Sequence, residues 1–216
     1  IMASSYSTDL KLELMVTGEN SGTWGDKTNT NLNLVQQAIA GYEAVTVSGT
    51  GTTTLVMSDA ALSNARNAVI KLTGTITGNI IVTIPDGIEK TYIIENGNTG
   101  AFTVEFKTVS GTGPTFSTTD KGVKILYSDG TNIIDVLSKS SQINLVNQNE
   151  IRFEDASGGE YVGLKAPTTV SSSVSFELPG ADGSSGNGIT TDGSGNLSFT
   201  DVASTGKAIA MALVFG

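Results

Sequence analysis

Large apolar residues alternate with polar residues along much of the chain, and a period of two predicts β-strands. The clearest case is Phe102-Thr-Val-Glu-Phe-Lys-Thr-Val, in which Phe102, Val104 and Phe106 share one face. Further apolar runs begin at residues 69, 80, 92, 123 and 133. Ser128-Asp-Gly-Thr separates the last two runs and is typical of a hairpin, because Asp-Gly fits turns that need positive φ. Since these runs recur at short, turn-bounded spacing, we expect an antiparallel β-sandwich over residues 43–138.

The first 42 residues follow a different pattern and form a separate N-terminal segment. Leucines alternate with polar residues over 10–16, which predicts a strand, and a Gly-rich loop follows. Leu32, Val35 and Ile39 then recur at helical spacing before Gly41. This spacing predicts a helix from about Lys27 to Ala40, with Asp26 or Thr28 as its N-cap.

Residues 139–216 contain short strand-like bursts between clusters of Gly, Ser and Asp. Each burst has only a few large apolar side chains, and burying one of them is worth roughly 1.5–3 kcal/mol. Ordering one residue costs about 1–2 kcal/mol of backbone entropy. A single copy therefore has too little to bury, whereas identical chains around a shared axis would cover each other's apolar faces. We expect an obligate homo-oligomer, most simply a homotrimer, with a thin intertwined β-stem at this end.

The expected oligomer core is formed by the large apolar residues of these bursts and of the last strand. They are Phe153, Tyr161, Leu164, Phe176, Leu178, Phe199, Ile209, Met211, Leu213 and Phe215. The last four occur in a strand-like segment whose other face is mainly alanine, and such a strand would aggregate if exposed. It is therefore covered either by sister chains, which we favour, or by another protein.

Composition excludes several classes of function. The chain of 216 residues contains 26 Gly, no Cys and no His, so disulfides, thiol chemistry and histidine general bases are absent. Its low charged fraction of 15% and many β-branched residues favour a folded all-β protein over a disordered one. Its net charge of −9 argues against a nucleic-acid partner. Apolar runs are too short for membrane insertion.

No pattern of catalytic or ligand-binding residues stands out. Segments 182–187 and 192–196 resemble calcium loops only faintly, because they lack the full acidic ligand set, and we interpret them as turns. Glu154, Asp155 and Glu160 lie close together in the sequence, as the paired carboxylates of a polysaccharide-cleaving enzyme can. They surround Gly158-Gly159, which predicts a hairpin turn with solvated carboxylates. We therefore expect no enzyme, no cofactor and no metal site.

Several stretches resemble structural proteins of tailed bacteriophages, especially marine, cyanophage-like ones. At the N-terminus these are Thr17-Gly-Glu-Asn-Ser-Gly-Thr-Trp-Gly and Thr28-Asn-Thr-Asn-Leu-Asn. In the last third they are Tyr161-Val-Gly-Leu-Lys-Ala-Pro, Leu178-Pro-Gly-Ala-Asp-Gly, Thr191-Asp-Gly-Ser-Gly-Asn-Leu-Ser-Phe and the ending Gly206-Lys-Ala-Ile-Ala-Met-Ala-Leu-Val-Phe-Gly. The resemblance covers most of the chain and is specific to phage structural proteins, although not to one place on the particle.

The resemblance implies a virion protein, most simply a trimeric tail fibre or short appendage that contributes to host-surface attachment. A head-surface decoration or a connector is the alternative, and a capsule depolymerase or a monomeric carbohydrate-binding sandwich is less favoured. Leading segments of such proteins usually dock on the particle, which implies docking by Trp24, Leu32, Val35 and Ile39. Trp24 either anchors this docking or packs on its own helix, and local packing is favoured for an aromatic residue. The implied partners are other virion proteins of the tail or capsid, with host surface polysaccharide as a further candidate.

Overall fold

Short strands and one α-helix account for the regular structure of the computed structural model, which describes residues 4–202 and residue 213. The chain divides into two units, Ile1–Ile143 and Asn144–Gly216. The first contains β1 Ser5–Tyr6, β2 Glu13–Leu14, α1 Trp24–Ala40, β3 Tyr42–Thr46, β4 Gly49–Thr54, a 3-10 turn Asn64–Arg66, β5 Val69–Thr73, β6 Ile76–Ile84, β7 Glu89–Asn96, β8 Val104–Thr108, β9 Thr115–Phe116, β10 Val123–Asp129 and β11 Ile133–Asp135. The second contains β12 Ile151–Glu154, β13 Tyr161–Leu164, β14 Asn187–Thr191 and β15 Leu197–Asp201.

The first unit contains two mixed sheets, and the chain alternates between them from β3 to β8. One sheet has the order β11-β10-β7-β5-β3 and the other the order β4-β6-β8-β9. The pairs β3–β5, β5–β7, β4–β6 and β6–β8 are parallel. Within these two sheets, antiparallel pairing is confined to the pairs β8–β9, β7–β10 and β10–β11. The short strands β1 and β2 form a separate antiparallel pair.

The β-rich class is therefore confirmed, but the expectation of antiparallel pairing is wrong for most of these strands. A period of two identifies a strand without giving the direction of its neighbour. Direction is decided by the connections, which here cross to the other sheet and return. Each return pairs a strand with the preceding strand of the same sheet. Thr75 and Thr99, for example, are bridge partners that lie 24 positions apart in the chain.

One hydrophobic core takes side chains from both sheets. Ile70 and Ile94 are register partners in the first sheet, and Val82 and Phe106 are register partners in the second. All four belong to the same buried cluster, in which the Tyr92 and Phe106 rings meet edge to face at 5.7 Å. Because burying one such side chain is worth roughly 1.5–3 kcal/mol, this cluster holds the first unit together.

The N-terminal segment is attached to this unit mainly by polar contacts. Glu13 is buried, and its carboxylate accepts hydrogen bonds from Ser4 and pairs with Lys27 of α1 at 3.0 Å. The Asn31 side chain bonds both the N–H and the carbonyl of Glu13. These contacts lower the pKa of Glu13, chiefly through Lys27 and then Ser4. They tie the residues before the helix to the helix itself.

Arg66 provides the second attachment and is fully buried. Its guanidinium donates to the carbonyls of Leu10, Ser58 and Ala61 and to the side chain of Gln37. Burial lowers its pKa. A buried cation requires such a complete set of acceptors, because desolvation without them is costly. Arg66 thus joins the N-terminal residues, α1 and the 3-10 turn.

Several local predictions are confirmed and others are corrected. The hairpin at 128–131 is present between β10 and β11. The helix is present but begins at Trp24, and its N-cap residue is Thr23, so Asp26 and Thr28 are not caps. The strand expected over 10–16 is reduced to Glu13–Leu14, because this stretch is held by the side-chain contacts above and not by a long ladder.

Candidate interaction surfaces

The hairpin β12–β13 has one apolar face. Ile151 lies opposite Leu164, and Phe153 lies opposite Val162. Opposite residues of an antiparallel pair, and residues two apart in a strand, project on the same side. These four side chains therefore form one surface, and they are exposed by 50% (Ile151), 58% (Phe153), 69% (Val162) and 62% (Leu164). We call it the first hairpin face.

The other side of the same hairpin is polar. Arg152 and Tyr161 lie there, and the guanidinium stacks 4.1 Å from the centre of the Tyr161 ring. Arg152 also pairs with Glu150 at 2.7 Å. Tyr161, expected in the oligomer core, therefore lies on the polar side of the hairpin.

The hairpin β14–β15 repeats this division. Ile189 lies opposite Phe199, and Leu197 lies opposite Thr191. The other side carries hydroxyl groups, with Thr200 donating to Thr190 at 3.3 Å. Ile189 is exposed, whereas Leu197 and Phe199 are half-buried. We call Ile189, Leu197 and Phe199 the second hairpin face.

Half-burial of Phe199 comes from a close glycine. A side chain at Gly183 would overlap the Phe199 ring, so only glycine lets the loop lie against this face.

None of the residues from 144 to 202 is buried. Phe176 and Leu178, also expected in the oligomer core, are exposed and lie outside regular strands, next to a single bridge between Glu177 and Asn196. Leu213 is exposed as well. Ile209, Met211 and Phe215 lie outside the described residues. The described part of this unit thus has strands and turns but no interior.

Ile151 and Val162 belong to the first hairpin face but were not among the expected core residues. The signal that would have found them is the turn. Gly158 and Gly159 both have positive φ and centre the turn, which fixes which residues lie opposite one another. Pairing outward from this turn places Val162 beside Phe153, and Leu164 beside Ile151.

Helix α1 presents an apolar stripe to solvent. Trp24, Leu32 and Ile39 are exposed by 64%, 61% and 74%, and Val35 beside them is half-buried. Their spacing of three, four or eight residues places them along one side of the helix. We call these four residues the helix stripe, and they are the residues expected to dock on the particle.

The side of α1 that faces the body of the first unit is mostly polar. Leu34 is its only buried hydrophobic residue within the described chain. Around it, Lys27 and Asn31 contact Glu13, and Gln37 accepts from Arg66 and from the Ser63 N–H. An amphipathic helix normally buries its apolar face. The reversed arrangement leaves a stripe that a partner can cover.

The acidic residues considered for catalysis form no enclosed site. Asp155 accepts from the Ser157 N–H and hydroxyl inside the turn, and these bonds lower its pKa. Glu154 and Glu160 are exposed on the same hairpin. Asp192 is engaged in the same way, because it accepts from Ser194 and Asn196, and its pKa is lowered. These carboxylates stabilise turns.

Two further observations concern residues 4–202 and 213. They contain no cluster of three or more acidic side chains placed to hold a metal ion. No helix among them combines the length and hydropathy needed to cross a membrane.

Comparison with protein-family models, curated proteins and solved structures finds no match to this chain. The surfaces themselves therefore carry the functional argument.

Proposed function

We propose that this protein is a non-enzymatic structural component of a phage virion, most simply a homotrimeric tail fibre or short appendage. It docks on the particle by its N-terminal segment and contributes to host-surface attachment. A head-surface decoration or connector uses the same surfaces and is the alternative location.

The observation that carries this proposal is the second unit without an interior. Its two hairpin faces are aligned on regular strands, yet no residue from 144 to 202 is buried. An isolated two-stranded hairpin is at best marginally stable in water. Copies of the same chain supply the missing cover, because each brings identical faces around a common axis. A trimer is the simplest assembly in which the apolar faces of a thin stem are all covered.

The virion assignment is supported by the sequence stretches that resemble phage structural proteins and by the helix stripe. In a trimer each chain presents one helix stripe, so the assembly has three equivalent attachment points. Multivalent attachment raises the overall affinity without new contacts.

Sedimentation tests the assembly. The purified chain is expected to sediment as a trimer, and a Phe153→Ser/Val162→Thr variant is expected to dissociate or aggregate, because it removes the centre of the first hairpin face. Glu154→Gln, on the polar side of the same hairpin, is the matched control and should leave the trimer intact. A monomeric wild-type chain with an ordered second unit would disprove the proposal.

Labelling of intact particles tests the location. Antibodies against the purified chain, visualised by immunogold electron microscopy, are expected to mark the tail. Labelling of the head would favour the decoration or connector alternative, and particles that lack the chain would exclude a virion role. Release of new reducing ends from host polysaccharide by the purified protein would contradict the non-enzymatic part of the proposal.

A further inference from the structure

An open cavity of about 450 Å³ lies beside the turn of hairpin β10–β11 in the first unit. It is lined by residues 112–114, 129, 132–135, 138 and 139. Small-molecule sites are usually concave, with volumes of about 300–1,000 Å³, and combine apolar surface with a few placed polar groups. This cavity is therefore of the size that a small organic ligand requires, and the question is which ligand its side chains suit.

Asp129 and Asn132 are held in fixed orientations at this turn. The Oδ1 atom of Asp129 accepts the N–H groups of Thr131 and Asn132 at 2.8 and 2.6 Å. The Oδ1 atom of Asn132 accepts the N–H and the hydroxyl of Thr112, both at 2.9 Å. Because an N–H can only donate, this bond identifies which end of the Asn132 amide is the oxygen. Within residues 4–202 no protein group bonds to Asp129 Oδ2 or Asn132 Nδ2, so an acceptor and a donor remain for a ligand.

The rest of the cavity lining combines a cation with apolar surface. Lys139 forms no ion pair with any other residue that the structure describes, because Asp135 pairs instead with Lys124 at 3.6 Å. Its ammonium group is therefore a second donor for a ligand. Pro114 and Ile134 are half-buried and supply apolar surface. The cavity thus offers one acceptor, two donors and an apolar contact, a combination that suits a ring carrying both hydroxyl and C–H groups.

Charge favours an uncharged ligand over an acidic one. Asp129 and Asp135 line the cavity against one ammonium group, that of Lys139. Glu89 is the register partner of Asp129 and adds a further negative charge next to it. Backbone hydrogen bonds, chiefly from Asn132, lower the pKa of Asp129 and keep its carboxylate ionised at neutral pH. An acidic sugar or a phosphate would therefore be repelled, whereas a neutral hydroxyl can donate to the Asp129 carboxylate.

We propose that this cavity binds a neutral sugar unit of a host surface polysaccharide. Asp129 Oδ2 accepts from one sugar hydroxyl, and Asn132 Nδ2 donates to a neighbouring sugar oxygen. Lys139 donates to a further hydroxyl, while Pro114 and Ile134 contact the C–H groups of the ring. The choice of a surface polysaccharide rests on the attachment role proposed above. A trimer carries three such cavities, so weak binding at each one is sufficient for firm attachment.

Ligand-observed NMR tests the class of ligand. Saturation-transfer difference spectra of the full-length chain are recorded with short oligosaccharides of glucose, galactose or mannose, and at least one of them is expected to bind. Glucuronate is the acidic comparison and is expected to bind more weakly than that sugar. Binding of none of the neutral sugars, or tighter binding of glucuronate, by a chain that sediments as a trimer would overturn the inference and leave the proposed function standing. Sugar binding by a chain that sediments as a monomer would contradict the proposed trimer alone.

Two isosteric substitutions locate the site. Asp129→Asn can keep the oxygen that accepts within the turn while it replaces Oδ2 by a donor, and Asn132→Asp keeps Oδ1 while it replaces the donor Nδ2 by an oxygen. Each is expected to weaken binding of the responding sugar by about tenfold or more, because one hydrogen bond to the sugar is lost. Asp155→Asn is the matched control, because Asp155 also accepts within a turn but lies outside this cavity. Wild-type affinity in both cavity variants would place the sugar elsewhere and overturn the inference.

Discussion

Lys90 shows how a half-buried charge is accommodated in the first unit. Its ammonium donates to the carbonyls of Asn67 and Thr91 at 3.0 Å and lies 3.8 Å from the centre of the Tyr92 ring. Burial, followed by the nearby charge of Arg66, lowers the pKa of Lys90 to about 8. The charged lysine is therefore tolerated at neutral pH at the expense of stability.

This lowered pKa predicts how stability depends on pH. Between about pH 8 and pH 10 the unfolded chain keeps a proton on Lys90 that the folded chain has lost, so the free energy of unfolding rises with pH by about 2 kcal/mol. Above about pH 10 the trend reverses, because burial raises the pKa of Tyr92 and only the unfolded tyrosine ionises. Denaturant unfolding at each pH measures this. Lys90→Met should flatten this rise in the free energy of unfolding, whereas Lys139→Met, at an exposed lysine, should retain it. An equal rise in both variants would mean that a group other than Lys90 causes it.

Gly41 lies where the sequence predicts a glycine, but the structure requires glycine there for a different physical reason. The sequence places Gly41 directly after the helix, where glycine commonly has positive φ. It does follow Ala40, but its backbone is extended at φ −71°. Glycine is needed because a Cβ would overlap the Gln37 carbonyl and the Asn67 side chain. Sequence spacing locates such a residue, but the close approach of a distant segment is not encoded nearby.

Paired alanine substitutions distinguish these two reasons. Gly41→Ala is expected to destabilise the first unit by about 1–3 kcal/mol, the usual range for overpacking. Gly25→Ala is the control, because its Cβ would meet nothing within 4 Å in the first turn of α1, and it should stabilise by up to about 1 kcal/mol. Chemical denaturation measures both values. A Gly41→Ala chain as stable as the wild type would show that this contact relaxes freely.

At the scale of elements, the sequence predicts which segments are strands far better than how they pair. Residues 123–127 and 133–137 were recognisable as a hairpin because the turn between them carries its own signal. The parallel neighbours of β5 and β6 have no such local signal, since the segments that join them cross to the other sheet. The helix was recognisable from its apolar spacing, but that spacing gives the wrong buried face. The polar contacts of Glu13 and Arg66 decide the orientation, and both come from outside the helix.

The reversed orientation of α1 gives a prediction at the same scale. Leu32→Gln/Ile39→Gln is expected to change the free energy of unfolding by no more than about 0.5 kcal/mol, because both side chains are exposed. Leu34→Ala is expected to cost about 2–4 kcal/mol, because Leu34 is buried. Urea denaturation checks both. The first variant is also expected to lose attachment to particles while it remains a trimer, and attachment at the wild-type level would remove the helix stripe from the docking surface.

At the scale of the whole molecule, the two units differ in what stabilises them. Every residue of the hydrophobic core cluster lies between Val47 and Ile133, and residues 144–202 contribute none. The first unit therefore has stabilisation within one chain. The second unit depends on other copies in the proposed assembly. Association then stabilises the two units by different amounts as concentration changes.

Calorimetry at several protein concentrations tests this difference. We expect two unfolding transitions, and the one that belongs to the second unit should move to higher temperature as concentration rises, because only the associated state is folded. The transition of the first unit should move much less, since its core does not require a partner. Phe153→Ser/Val162→Thr should abolish the first of these shifts and leave the core transition close to its wild-type temperature, with Glu154→Gln unchanged in both. A hundredfold change in concentration changes the free energy of association by roughly 3 kcal/mol. A second-unit transition that stays at one temperature across this range would mean that this unit is stable in a single chain.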